Sequence, residues 1–466
     1  MLAVHFLSLK LLAKEMPVAD FGIFTILLVV ANGFEVVGAM GLSLTLVKSL
    51  ASGEDSRTLT VAGLIILSRA VAFLGLAILV AALGKPVLAY FFNPEVSQLA
   101  WFLPPLFILG SCRNTLFAIQ QGRKRFVSHA TVKVISAILR LAAIVSLVCF
   151  AQLGVRELLW VEVFVCAITI LLLMPGSALR QMILSAKKLD RGIVGEVFSF
   201  SAPLYGADIF QYLYSRLTVL ILGALMLPGS VAIYGIAGKL PESCGRILQS
   251  LLVVYFPSVA ELISSGRREE GTRLMNVVLL LVAVLLSAAT LVSFVLQEQI
   301  VLLLFSAQYL EAAPILPLLM CGFAFAGMTQ LMNSTAVASG FSSVPIRVST
   351  ISSFVNVVCG LGLIPVWGIS GAAWTQIIAN FVAVGTSWFY LRRSGVAVDV
   401  RGMMVPFAIS LGLVGMSGLG SLNQALACFL ALVVYFALCW CLLPLVRQVC
   451  EQSVSYVLRV WFRFVP

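Results

Sequence analysis

The sequence predicts an all-α protein threaded repeatedly through a membrane. Three observations carry that expectation. First, 61% of the 466 residues are apolar, 11% are charged, and mean hydropathy is +1.08. Soluble domains average about 45–50% apolar and about 25% charged residues, so an ordinary core cannot hide this much apolar surface. Second, apolar runs approaching the ~20 residues that cross a hydrocarbon layer recur fourteen times: 1–13, 21–47, 59–83, 99–120, 131–153, 157–175, 195–222, 230–257, 274–296, 314–338, 344–365, 370–391, 402–420 and 424–444. Third, the basic residues are unevenly shared between alternate loops. Arg123–Lys124–Arg125, Lys187–Lys188, Arg267–Arg268 and Arg392–Arg393 fall in one set of loops, and only Lys14, Lys85 and Arg156 fall in the other. Cytoplasmic loops carry this excess.

The first run is short, so thirteen spans are an alternative to fourteen. With fourteen, both termini lie in the cytoplasm. Met1–Ala13 lacks a basic leader and a small-residue cleavage site, so it reads as a span and not as a cleavable signal. The formal net charge of +11 follows from loop topology and does not call for a nucleic-acid partner. The ten cysteines have no metal-ligand spacing and read as small apolar residues.

A basic loop near Gly176–Gly192 divides the chain. Residues 1–190 form an N-terminal six-helix lobe and 191–395 a second six-helix lobe. Residues 396–466 add two transmembrane helices and a cytoplasmic tail. The lobes read as an internal repeat. Phe21–Ile26 opens a long helix closing at Ser52-Gly53, and Val231–Ile236 opens another closing at Ser265-Gly266. An even number of spans per copy gives a parallel repeat with the substrate path between copies. Pro203, Pro241, Pro257, Pro314, Pro317 and Pro365 interrupt spans as kinks or hinges.

Charges inside the spans are the functional signal. A charge at mid-bilayer costs at least about 2.5–3.5 kcal/mol, so each must face a wet cavity, pair, or snorkel. Lys10, Arg113, Lys133 and Glu196 lie close enough to span ends to snorkel. Arg69 and Arg140 sit near the middle of theirs. Arg216 and Asp208 share one helix face. Lys239, Glu242 and Arg246 follow three- and four-residue steps and form one stripe, in which Glu242 either neutralises its neighbours or leaves them to a ligand. Arg69, Arg140, Arg216, Lys239 and Arg246 outnumber Glu35, Glu162, Asp208 and Glu242, so the cavity they imply is net positive. Guanidinium groups bind phosphate through paired hydrogen bonds, and a pyrophosphate-linked lipid would be such a cargo. Asp208, Glu35 and Glu162 are candidates for H+ or Na+ coupling, or else salt-bridge partners.

No catalytic or metal site is expected. His5 and His129 belong to no ligand pattern, and no phosphate-binding Gly-Lys-Ser/Thr loop is present. Neither cofactor nor nucleotide hydrolysis is therefore expected.

Four stretches resemble the polysaccharide transporter family, the O-antigen flippases of the multidrug/oligosaccharidyl-lipid/polysaccharide exporter (MOP) superfamily. They are Leu363-Ile-Pro-Val-Trp-Gly-Ile-Ser-Gly-Ala-Ala373, Ser306-Ala-Gln-Tyr-Leu-Glu-Ala-Ala-Pro314, Ala232-Ile-Tyr-Gly-Ile-Ala-Gly-Lys239 and Asp20-Phe-Gly-Ile-Phe24. Their order and spacing fit over nearly the whole chain. The resemblance implies two six-helix lobes forming a V around a central cavity, with two peripheral helices. It implies a cargo, an oligosaccharide repeat unit on undecaprenyl pyrophosphate, carried across a bacterial inner membrane for O-antigen, exopolysaccharide or capsule. It also implies Arg69, Arg140 and Arg216 in the cavity, and a polysaccharide polymerase or chain-length regulator as partner. An acid is common in the family before the stretch matching Leu217–Gly223, but Ser215-Arg216 stand there, leaving Asp208 as its substitute. The alternatives are a lipid II flippase, a drug/cation antiporter of the same architecture, and a scaffold or glycan polymerase. A polymerase of this kind usually carries a large periplasmic loop, and none is visible.

Overall fold

The structure is a computed structural model describing residues 2–51, 56–150, 153–173, 191–417 and 424–443. Lys187–Lys188, Cys450 and the tail after 443 lie outside the described residues. Among the described residues the chain is helical, with no strand. It divides into two compact units, Met1–Gly235 with Leu304–Gln308, and Ile236–Leu303 with Tyr309–Pro466. This partition by packing differs from the lobes read along the sequence, because the helix that follows the basic loop packs within the first unit.

In the first unit, α1 (Leu2–Glu15), α2 (Val18–Ala39), α3 (Leu42–Ala51) and α4 (Ser56–Phe91) are followed by the short α5 (Pro94–Gln98). Then come α6 (Leu103–Gly122), α7 (Phe126–Phe150), α8 (Val155–Leu173), α9 (Arg191–Leu225) and most of α10 (Pro228–Ala237). The apolar run 21–47 is not one helix. Met40 (φ 50) and Gly41 (φ 66) are left-handed and end α2 before α3 resumes. Glycine is required at this break. A Cβ on Gly41 would stand 2.5 Å from the Tyr205 backbone nitrogen and 2.6 Å from the Ser201 carbonyl oxygen. Helix α9 thus lies backbone-to-backbone on the break, beside its own Pro203. Thr45 and Ser201 share a hydroxyl hydrogen bond of 2.7 Å, and the Tyr212 hydroxyl donates to the Val29 carbonyl at 2.6 Å. Leu42, Leu46, Ile65 and Ile119 form the dry core beneath this seam. The segment Leu304–Gln308 is tied to the end of α1. Ser306 donates to the Ala13 carbonyl at 2.7 Å, and Gln308 donates to the carbonyls of Ala13 and Met16.

The second unit holds α11 (Lys239–Ser264), α12 (Arg268–Val295), most of α13 (Gln297–Leu304), α14 (Ile315–Ala338), α15 (Val344–Arg393), α16 (Val400–Ser417) and α17 (Gln424–Leu442). The run 230–257 is also split, with Gly238 separating α10 from α11. Helix α12 is central and packs against α11, α14, α16 and α17. Met275, Leu279 and Ala283 meet Met328, Leu331 and Met332 of α14 in the core. Tyr435 shares a 2.6 Å hydrogen bond with Ser287, which satisfies a buried hydroxyl pair. Helix α15 consists of two arms divided at Gly368 (φ 56, ψ −129). The arms fold back on each other, since Asn356 on one donates to Gln376 on the other at 3.4 Å.

Among the described residues, eight helices are long and apolar enough to cross a membrane, and four shorter apolar helices accompany them. Large side chains such as Val71, Leu74 and Ile78 lie exposed along α4, which fits a protein solvated by acyl chains. At the basic-poor end of the first unit, Trp101 stacks on Phe102 at 3.8 Å and meets Trp160 at 5.8 Å. Aromatic rings of this kind anchor helices at the membrane–water boundary. The chain is a multi-pass membrane protein.

Candidate functional site

A cavity of about 490 Å³ opens inside the first unit, among α1, α3, α6, α7 and α8. Its polar wall is periodic. On α7, His129, Lys133, Ser136 and Arg140 line it at steps of four, three and four residues, which is one face of a helix. On α6, Arg113, Phe117 and Gln121 recur every fourth residue. Helix α8 contributes Glu162 and Val165, α3 contributes Ser43 and Val47, and α1 contributes His5. Helix α8 packs against both α6 and α7, which brings these stripes to one place.

The lining is net positive, with Arg113, Lys133 and Arg140 against the single carboxylate of Glu162. Arg140 Nη2 lies 2.5 Å from Glu162 Oε1, the side chains being 21% and 16% exposed. Arg113 Nη1 donates to Cys166 Sγ at 3.2 Å. Sulfur is a weak acceptor, so the Arg113 charge is poorly compensated by its contact. Lys133 Nζ stands 5.3 Å from the Phe117 ring centroid, and the His129 ring packs on the same phenyl ring at 4.9 Å. Three cations therefore converge on one cavity while only one of them contacts an acid of its lining.

The residues singled out in the sequence are distributed as follows. Arg140 and Glu162 line the cavity together. Arg69 is 3% exposed and lies behind the wall, donating to Ser43 at 3.0 Å and to Ser111 at 3.2 Å. Glu35 is also one hydrogen bond removed, accepting from the cavity residue Asn114. Asp208 and Arg216 share α9, the first exposed and the second half-buried. Lys239 and Arg246 belong to the second unit, where Lys239 Nζ pairs with Glu242 at 3.0 Å and Arg246 is exposed. Glu196 does sit at an exposed end, paired with Arg57 at 2.6 Å.

Two expectations change. Arg113 and Lys133, expected only to lie near span ends, line the cavity, because α6 and α7 turn those faces toward α8. Cys166 is not merely a small apolar residue, since it is the acceptor that holds Arg113. His5 and His129 also line the cavity. Among the described residues no cluster of three metal-ligating side chains occurs.

Residues 11–314 match the family model described as polysaccharide biosynthesis protein. The chain belongs to that family. Over 198 residues it is 24% identical to the capsular polysaccharide biosynthesis protein CapF of Staphylococcus aureus, a match covering 42% of this chain. The matched segment spans 50% of that relative's length. Among solved structures, the fold is similar to the lipid II flippase MurJ in an inward closed conformation. That likeness has a TM-score of 0.75 at 15% identity and covers 94% of this chain and 96% of the other. It is also similar to an inward-facing multidrug resistance MATE family transporter of the MOP superfamily. There the TM-score is 0.72 at 11% identity, covering 84% of this chain and 94% of the other. This member of the polysaccharide biosynthesis family thus has a MOP-type fold, and the family match includes α3, α6, α7 and α8 of the cationic cavity but not His5 of α1.

Proposed function

We propose that the protein flips a lipid-linked oligosaccharide, carried on undecaprenyl pyrophosphate, from the cytoplasmic to the periplasmic leaflet of a bacterial inner membrane. The observation that supports it is the cavity in which Arg113, Lys133 and Arg140 face a single acid. A phosphorylated head compensates that excess, because guanidinium and ammonium groups hold phosphate oxygens through charge-assisted hydrogen bonds. The oligosaccharide follows the head through the polar space, and the polyprenyl tail stays in acyl chains. Arg69 acts behind Ser43, while Arg216, Lys239 and Arg246 serve as further contacts for the anionic head along its path. Glu35, Asp208 and Glu162 are the acids available for coupling to H+ or Na+, and a polymerase or chain-length regulator receives the product. Both termini lie in the cytoplasm. The lobes 1–190 and 191–395 are the repeated transport halves, and 396–466 lies outside them.

A lipid II flippase has the same head-group chemistry, and the MurJ-like fold favours keeping that reading second. The family match favours a polysaccharide precursor over it. A cation antiporter fits the fold but not a cavity rich in arginine and lysine.

The test is made in cells lacking the gene and complemented with Arg113, Lys133 and Arg140 all replaced by alanine. Lipid-linked oligosaccharide accumulates on the cytoplasmic side and surface polysaccharide falls to the level of the deletion strain. Normal surface polysaccharide at normal protein abundance contradicts the reading.

A further inference from the structure

We infer that Glu162 is a built-in stand-in for the cargo's phosphate: its carboxylate occupies Arg140 in the empty cavity and is displaced when the anionic head arrives. The inference rests on the head-group reading above and adds a positioning role to it.

The pair is built to be exchanged. Two guanidinium nitrogens meeting two carboxylate oxygens in aligned hydrogen bonds would form a strong fork. Here Nη2 lies 2.5 Å from Oε1, and neither Nε nor Oε1, both buried, makes a hydrogen bond among the described residues. Glu162 therefore satisfies the charge of Arg140 but leaves its directed donors under-used. Each phosphate of a diphosphate diester presents two non-bridging oxygens and can take both Nη2 and Nε.

The surroundings favour the exchange. Among the described residues Glu162 is the one acid in the lining, and Glu35, held behind it by Asn114, acts on Arg113 and Arg69, so Glu162 is the carboxylate that competes for Arg140. One turn further along α8, Cys166 accepts from Arg113 at 3.2 Å. A displaced Glu162 carboxylate thus has a second cation, Arg113, within a turn, one whose hydrogen-bond acceptor is a thiol and whose charge it would share with Glu35. Without Glu162, Arg140 would stand unpaired among apolar side chains each time the cavity emptied, and an uncompensated charge there is costly. Glu162 keeps the empty site folded and sets how tightly the cargo is held, because every binding event must break its contact.

The test measures the affinity of the purified full chain in nanodiscs for farnesyl diphosphate, with farnesol as the uncharged control. Glu162→Gln removes the competitor and tightens diphosphate binding about tenfold, the worth of one contact to a charged group. Glu162→Asp keeps the charge but retracts it by one methylene, and gives an intermediate gain of about threefold. A through-space charge effect alone would leave the aspartate variant like wild type. Arg140→Ala weakens binding at least about tenfold. Farnesol binding does not change in any variant. If Arg140→Ala weakens binding while both Glu162 variants leave it unchanged or weaker, the exchange is overturned and the head-group reading stands. If Arg140→Ala has no effect on diphosphate binding, the head-group reading falls and the exchange with it. Where Glu162→Gln fails to fold, Glu162→Asp decides alone, and no gain in affinity overturns the inference.

Discussion

Replacing Arg140 with alanine lowers surface polysaccharide at least about tenfold, because the cargo loses a charge-assisted contact of about 1.5–3 kcal/mol. The same substitution also strips Glu162 of its partner. Breaking a buried pair by removing one member costs about 3–5 kcal/mol, and less where water reaches the pair. Both side chains retain some exposure, 21% and 16%, so the lower part of that range applies and a moderate fall in membrane abundance accompanies the loss of export. The two effects separate in the double variant Arg140→Ala with Glu162→Ala. Replacing a whole buried pair by apolar side chains is close to neutral for stability. The double variant therefore regains normal abundance but still exports poorly. Immunoblotting of membranes alongside surface glycan staining checks this. Recovery of export in the double variant would mean that Arg140 serves only to hold Glu162.

Replacing Gly41 with valine is expected to remove most folded protein. The residue has φ 66, and a β-branched side chain in the left-handed region costs about 1–2 kcal/mol. Its Cβ would also press on the backbone of Ser201 and Tyr205, within 2.6 Å of both. Backbone cannot swing aside as a side chain can, so α9 would have to move off α3. Overpacking of that kind adds about 1–3 kcal/mol. The Thr45–Ser201 hydrogen bond of 2.7 Å would open as well. Detergent-solubilised protein should show a lower melting temperature and a broad gel-filtration profile. Gly75, with nothing within 4 Å of a Cβ placed there, is the control and should tolerate alanine. Unchanged melting of the Gly41 variant would show that the helix break does not depend on that residue.

The helical class and the membrane as solvent were readable because apolar runs of span length leave little else possible. The breaks at Met40–Gly41 and Gly238 were not, since hydropathy runs through them undisturbed and does not record backbone angles. Arg140 was readable from its depth in an apolar run. The place of Arg113 and Lys133 in the cavity is not given by distance to a span end along the chain, since it depends on which face the helix turns inward. The spacing His129, Lys133, Ser136, Arg140 carried that information, a polar stripe on an otherwise apolar helix. The meetings of Arg113 with Cys166 and of Arg140 with Glu162 had no such signal. They arise from the packing of α8 against α6 and α7, which joins residues 53 positions apart in the first case. The packing of α9 within the first unit had no signal either, because charge along the chain does not record which helices touch.

The most direct measurement places the purified protein in liposomes with a fluorescent polyprenyl-pyrophosphate oligosaccharide and follows its exposure to a membrane-impermeant quencher. Wild-type protein moves the labelled lipid between leaflets, and the variant with alanine at positions 113, 133 and 140 moves it far more slowly. Equal rates for the two proteins would contradict the account, for the three cations would then have no part in carrying the head group.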